Sequence, residues 1–174
     1  MIGSQRHTVS LSSYNPNWKS LFEEEKEKIL EEINQYVVDI QHVGSTSIEG
    51  LDAKPIIDIA IAVSSFDEVD EIAHALQKIG YSRLKVKIEG KVIFAKDTHA
   101  GRTHYLHIEL HNGIHWDEHI TFRDYLRSHP EAVTSYMQLK HILAIKYYND
   151  VKSYTEGKRE FVDDIIKKAK HTDI

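Results

Sequence analysis

The segment Pro55–Val63, PIIDIAIAV, constrains the fold more than any other stretch of this chain. It is short, rich in β-branched residues and nearly uncharged, the pattern of a strand buried on both faces. Such a strand needs structure packed above and below it. Side chains alternate along a strand, so Ile57, Ile59, Ile61 and Val63 share one face, and Ile56, Asp58, Ala60 and Ala62 share the other. An aspartate in the middle of an apolar strand is costly unless it is hydrogen-bonded or holds a cation. Asp58 is therefore the first candidate site residue. The alternative is a carboxylate that caps a loop or pairs with a buried Arg or His. The small Ala60 and Ala62 beside it are expected to leave room above that face.

The flanking sequence supplies the rest of an α+β domain. After an extended start (Thr8 to Ser13), Asn15-Pro16 marks a helix start, and Trp18, Leu21, Phe22, Ile29, Leu30 and Ile33 follow on one face. Tyr36 to Val43 reads as a strand ended by Gly44. Behind the central strand, Ser65-Phe66-Asp67-Glu68 has the form of a capping box, and the helix it opens runs to Gly80. Strands are expected at Tyr81–Ile88, Lys91–Lys96 and Arg102–His111, with a turn at Glu89-Gly90. From His115 onward the chain reads as three helices. The first ends near His129-Pro130, and the second carries Ala132, Tyr136, Leu139, Leu143 and Tyr147 as a core stripe. The third opens at Ser153-x-x-Glu156. A mixed sheet of about five strands with flanking helices and a helical C-terminal part follows.

Composition narrows the chemistry. No stretch reads as a linker, and 174 residues suit one domain, 1–174. There is no cysteine, which removes disulfides, cysteine-ligated metals and a cysteine nucleophile. With 22 Lys+Arg against 27 Asp+Glu, the net charge of -5 argues against broad binding of nucleic acid or anionic membrane. The N-terminal MIGSQRHTVS has no apolar run behind its charges, and no stretch is long enough to span a bilayer, so a cytoplasmic location is expected. Of 12 histidines, 7 lie between His99 and His129, a clustering that asks for a reason.

Three further patterns carry chemistry. His42-Val43-Gly44-Ser45-Thr46-Ser47 runs from a strand into a loop of small hydroxyl residues able to present N–H groups to a phosphate, or forms an ordinary turn. In Arg102–His111, the face opposite Leu106, Ile108 and Leu110 carries Thr103, Tyr105, His107, Glu109 and His111. Neighbours two apart on that face can share a metal ion or act as acid and base; an exposed face with scattered His is the alternative. His104 points to the apolar side, as a core histidine. His115 and His119 lie one helical turn apart, but HWDEH lacks the glutamate placement of HExxH, and a surface pair is the simpler reading. Lys158 shares the stripe of Tyr154, Phe161, Val162 and Ile165, so it faces the body of the domain, either to meet a phosphate or to snorkel at the core rim. Arg102, Arg123 and Lys54 are cations without an assigned role at this level.

Gly44-Ser45 and Asp58-Ile59, separated by twelve residues, resemble the signature of the nucleotidyltransferase superfamily. The segments SSYNPNW (12–18), HVGSTSIEGLDAKPIIDI (42–59), RTHYLHIEL (102–110), FRDYLRSHPEAV (122–133) and YTEGKREF (154–161) are similar to hallmark segments of the GrpB-like family, a branch of that fold. In that family a similar domain can be joined to dephospho-CoA kinase. The resemblance implies a nucleotidyltransferase-like mixed-sheet core. It implies that Gly44, Ser45 and Thr46 hold nucleotide phosphates, with Lys158 or Arg102 neutralising charge. It implies a divalent metal (Mg, Mn or Zn) on Asp58, with His107, His42 and Glu109 as further candidates. Active members of the superfamily hold two metal ions with paired carboxylates. Here the second carboxylate position is Ala60, and the later-strand carboxylate corresponds to Glu109 or His107.

Three functions are consistent with these residues. One is metal-dependent nucleotidyl transfer to a small molecule through Asp58, His107 and Glu109. A second is a non-catalytic domain that binds a nucleotide or CoA-like ligand. A third is a His-metal hydrolase built on the His-rich strand. All three place the partner among small molecules.

Overall fold

A computed structural model describes residues 2–5 and 7–172. Its centre is a five-stranded mixed sheet: β1 (Asp39–Val43), β2 (Ile57–Val63), β3 (Tyr81–Arg83), β4 (Lys91–Thr98) and β5 (Gly101–Leu110). The spatial order is β1-β2-β5-β4-β3. Only β2 and β5 run parallel; the other neighbours are antiparallel. The apolar run therefore occupies the interior of the sheet, and Ile57, Ile59, Ile61 and Val63 are all 2% exposed or less.

Helices α1 (Asn17–Ile33) and α2 (Val69–Lys78) cover one face, where Trp18, Phe22, Ile29, Ile72 and Leu76 meet the isoleucines of β2 and Leu106 and Ile108 of β5. Asn15 starts α1 as expected, its side-chain oxygen accepting from the Asn17 N–H at 3.0 Å. On the other face lies α3 (Ile114–Ser128), backed by α4 (Pro130–Lys146), α5 (Val151–Glu156) and α6 (Arg159–Thr172). Ser12 and Ala53 exchange backbone hydrogen bonds, so the extended N-terminal segment is tied to the loop before β2.

Four expectations change. The strand expected from Tyr36 begins at Asp39, because Asn34–Tyr36 continues α1 as a 3-10 turn. The strand expected over Tyr81–Ile88 stops at Arg83, since Lys85 to Glu89 are exposed and gain no burial from pairing. Ser65 does not cap α2 as a box: its hydroxyl accepts from the Asp67 N–H and donates to the Asp67 and Glu68 carboxylates. The last helix is two helices, and Asp150, not Ser153, is the cap: it accepts from the Ser153 N–H and hydroxyl.

The space above Ala60 and Ala62 is also filled. Trp116 and Ile120 of α3 pack on them and on Val43, which explains why those positions of β2 are small. What remains open lies further along the strand, at Asp58.

Candidate functional site

Strand register sets the site. Asp58 pairs with Val43 on one side and with Tyr105 on the other, and His107 is the next residue of β5 on the same face. His107 Nε2 stands 3.3 Å from Asp58 Oδ1. Burial pushes the Asp58 carboxyl up, but the hydrogen bond from His107 and nearby positive charge outweigh it and hold the carboxyl below its usual range. Burial drives His107 down to about 4, so the pair is a neutral imidazole donating to an ionised carboxylate at neutral pH.

Gly44 closes over this pair. It has φ +68°, and a Cβ there would lie 2.6 Å from Asp58 Oδ2 and 2.9 Å from Asp58 Cβ. Only glycine allows this backbone to pass so close to the carboxylate. Residues Ser45–Ser47 then form a 3-10 turn beside the C-terminal end of β1.

Beside Asp58 opens a cavity of about 390 Å³. Ser45, Asp58, Tyr105 and His107 line it from the sheet side, and Lys54, Lys140 and Lys158 line it from the loop before β2, α4 and the α5–α6 junction. Its lining carries three lysines and a single acid among the described residues. Burial, reinforced by Lys158 and only partly offset by Asp52 and Asp58, lowers Lys140 to about 7. Burial and the charge of Lys54 lower Lys158 to about 8. Lys54 is lowered by burial as well. Three amines whose proton affinity is lowered, around one carboxylate, describe a site short of negative charge.

The sequence candidates divide accordingly. Gly44, Ser45, Asp58, His107 and Lys158 converge. Thr46 reaches the cavity wall, but its hydroxyl is held by His42 Nε2 at 3.0 Å and by the Ile56 carbonyl at 3.3 Å, so it fixes the loop. His42 pairs with Ile59, on the opposite face of the sheet from Asp58, and stacks on Phe22 at 4.8 Å. It cannot share an ion with Asp58, because odd and even positions of a strand point apart. Arg102 is engaged beside the cavity and not in it: its guanidinium binds the Asp97 carboxylate at 2.8 and 3.2 Å and lies over the Tyr105 ring. Glu109 is fully buried and bound to His119 Nδ1 at 3.2 Å and to Lys91 at 2.8 Å.

His111 leaves the strand and lies near Trp116, whereas His119, read as half of a surface pair, reaches Glu109. Its expected partner His115 bonds the Glu89 carbonyl instead. Lys140 carries no motif of its own, although Tyr136, Lys140 and Leu143 follow helical spacing on a buried stripe. A lysine on that stripe was the available signal.

The donor set decides how far the superfamily's metal chemistry fits. Magnesium asks for oxygen ligands, usually carboxylates and substrate phosphates. Ala60 is fully buried under Trp116, Asp58 Oδ1 is engaged by His107, and Glu109 is paired with Lys91 and hydrogen-bonded to His119. These residues do not fit a two-ion carboxylate clamp.

A mixed sheet in this order, with a Gly-Ser turn against a carboxylate on its second strand, defines a nucleotidyltransferase-like fold. The MgGTP-bound Cid1 poly(U) polymerase aligns with a TM-score of 0.55 over 83% of this chain and 50% of that one, at 13% identity, a likeness of fold alone. The chain belongs to the GrpB family: the family model described as GrpB protein matches residues 8–168. The glutamate-rich protein GrpB of Alkalihalophilus pseudofirmus is 44% identical over 171 residues, 95% of this chain and 98% of that protein. The crystal structure of the conserved protein GrpB from Enterococcus faecalis aligns with a TM-score of 0.84 and 32% identity, over 92% of this chain and 96% of that one. No helix among the described residues is long and apolar enough to cross a membrane.

Proposed function

We propose that this protein binds a nucleotide or a CoA-like phosphorylated small molecule in the cavity beside Asp58, within one domain formed by the whole chain. One observation carries the reading. Lys54, Lys140 and Lys158 line one cavity with Ser45 and a single acid, Asp58, and burial lowers all three amines, although Lys140 also donates to the Asp52 carbonyl. A polyphosphate entering there favours the charged form of all three amines and replaces water with charge-assisted hydrogen bonds. The backbone of the Gly44–Ser45 turn and the Ser45 hydroxyl are the neutral donors for the same anion. The MgGTP-bound Cid1 neighbour supports a nucleotide as the ligand class through fold likeness only.

The test is thermal unfolding with ATP, CTP, GTP, UTP and CoA, each with magnesium or with chelator. A ligand at about 100 times its dissociation constant adds roughly 2.7 kcal/mol, which for a domain of this size raises the midpoint by about 5–10 °C. Stabilisation that survives chelator and is lost in Lys158→Ala supports the binding reading. A flat panel refutes it.

A second reading, transfer chemistry, rests on the Asp58–His107 pair facing that cavity. An ionised carboxylate that faces the cavity and is held by the His107 Nε2–H can serve as a general base. Asp58→Asn then abolishes turnover while leaving ligand affinity nearly intact. Turnover that survives Asp58→Asn removes this second reading and leaves the first standing.

A further inference from the structure

Glu109 is a fully buried carboxylate on β5, and the residues around it are unusual for a plain structural ion pair. His107, two residues earlier on the same face, and His119, one α3 side chain above, each bring a ring nitrogen toward it. One ligand atom from each of His107, Glu109 and His119 lies within 4.8 Å of the other two. The centroids of the two imidazole rings are 5.0 Å apart, edge to face. All three are borne by rigid elements, two on the central sheet and one on a helix, which favours a defined geometry over a chance surface group.

A second observation points to what belongs there. His107 donates from Nε2 to Asp58, which fixes the tautomer and leaves Nδ1 with a lone pair. That Nδ1 is buried and has no hydrogen-bond partner. A buried lone pair without a donor is costly, and a cation is the partner that removes the cost. The carboxylate on the far side of the ring completes the pattern of a ligating histidine oriented by an outer carboxylate.

We propose that His107, Glu109 and His119 form a binding site for a borderline divalent transition-metal ion of the zinc class, with Asp58 outside the coordination shell. Two imidazoles and one carboxylate match the ligand softness of such ions and leave a further position for water, whereas magnesium and calcium prefer all-oxygen sets. Lys91 accounts for the stability of the ion-free protein. Its ammonium lies 2.8 Å from Glu109 Oε1 and 3.4 Å from His119 Nε2, so it stands in as the cation and is displaced when an ion enters. The inference stands apart from the ligand of the cavity, because its test reads metal and not nucleotide.

The test uses the full chain, stripped with chelator and then dialysed against zinc or titrated with cobalt. The wild type takes up one ion per chain, and the cobalt form shows visible ligand-field absorption. His119→Ala removes a half-exposed ligand, keeps the fold by circular dichroism, and lowers affinity at least tenfold with loss of the cobalt band. Asp58→Asn keeps the band and weakens affinity roughly 10–100-fold, the usual range for an outer-shell partner. Lys91→Met, which removes the competing ammonium, tightens binding. A wild type that retains no ion, or a His119→Ala protein that binds as tightly as the wild type through other histidines, overturns the site. Unchanged affinity in Asp58→Asn overturns the role given to Asp58, and weaker binding by Lys91→Met overturns the role given to Lys91.

Discussion

Replacing Gly44 with alanine tests the geometry on which the candidate site depends. Gly44 has φ 68° and ψ -174°, a backbone region that is nearly closed to residues with a Cβ. Holding alanine there costs about 1–3 kcal/mol. The new Cβ would also lie 2.6 Å from Asp58 Oδ2 and 2.9 Å from Asp58 Cβ, contacts that real structures do not show. Asp58 is anchored in the middle of the sheet, so relief needs a shift of the loop or of β2, an overpacking penalty of about 1–3 kcal/mol. The sum, about 2–6 kcal/mol, lowers the unfolding midpoint by roughly 5–20 °C for a chain of this length. Gly50 provides the control: it also has positive φ, at +76°, but nothing lies within 4 Å of its Cβ position. Gly50→Ala therefore carries only the backbone part, about 1 kcal/mol and a few degrees. Differential scanning calorimetry of the two variants isolates the contact with Asp58. Equal losses in both would refute the claim that the turn presses on the carboxylate.

The lysine amines give a pH dependence with a definite sign. Lys140 near 7 and Lys158 near 8 lose protons as pH rises through that range, and an anionic ligand favours their charged forms, so ligand affinity falls between pH 6.5 and 9. Calorimetry in two buffers of different ionisation enthalpy should show proton uptake on binding at pH 8; a flat profile contradicts the lysine assignment. On the opposite face, Glu25 is 3% exposed and accepts from Lys96 at 2.7 Å and Tyr81 at 2.8 Å. Burial raises its carboxyl, but these partners more than offset it, and the folded value lies below 4.5. Its stabilisation is therefore present above about pH 4.5 and is lost as pH falls through the folded value. Glu25→Ala should cost about 3 kcal/mol in urea unfolding at pH 7 and flatten the acid limb, since it orphans the buried Tyr81 hydroxyl. Arg123 donates to Gln41 Oε1 and to the His42 carbonyl, tying α3 to β1. Arg123→Met should lower stability by about 2 kcal/mol without changing ligand affinity at the cavity, because it touches no residue there.

Much of the architecture was legible because the signals are local. The alternation in Pro55–Val63 identifies a central strand and the face on which Asp58 must lie, and helical spacing places Lys158 on the inward stripe. Asn15-Pro16 marks the start of α1 for the same reason: capping involves residues two or three apart. The misjudged boundaries at Tyr36 and Leu84 fall where short-range preference competes with burial that only the assembled chain supplies, whereas Asp150 and Ser153 are both acceptable caps three residues apart, and the exposed Asp150 carboxylate takes the role.

The site itself is a different matter. A strand's parity can be read from the sequence, but not which strand becomes its neighbour, so His42 and Asp58 looked compatible until antiparallel register put them on opposite faces. Lys54 and Lys158 are 104 positions apart, with Lys140 between them, and the three meet only because α4 and the α5–α6 junction fold back over the end of β2. His119 joins Glu109 only once α3 crosses β5. The amines and the His107 ring are shifted by burial, and burial is a property of the packed molecule. The sequence by itself determined the strand, its face and its one carboxylate. The tertiary structure decided which charges surround that carboxylate, because electrostatics acts through space and not along the chain.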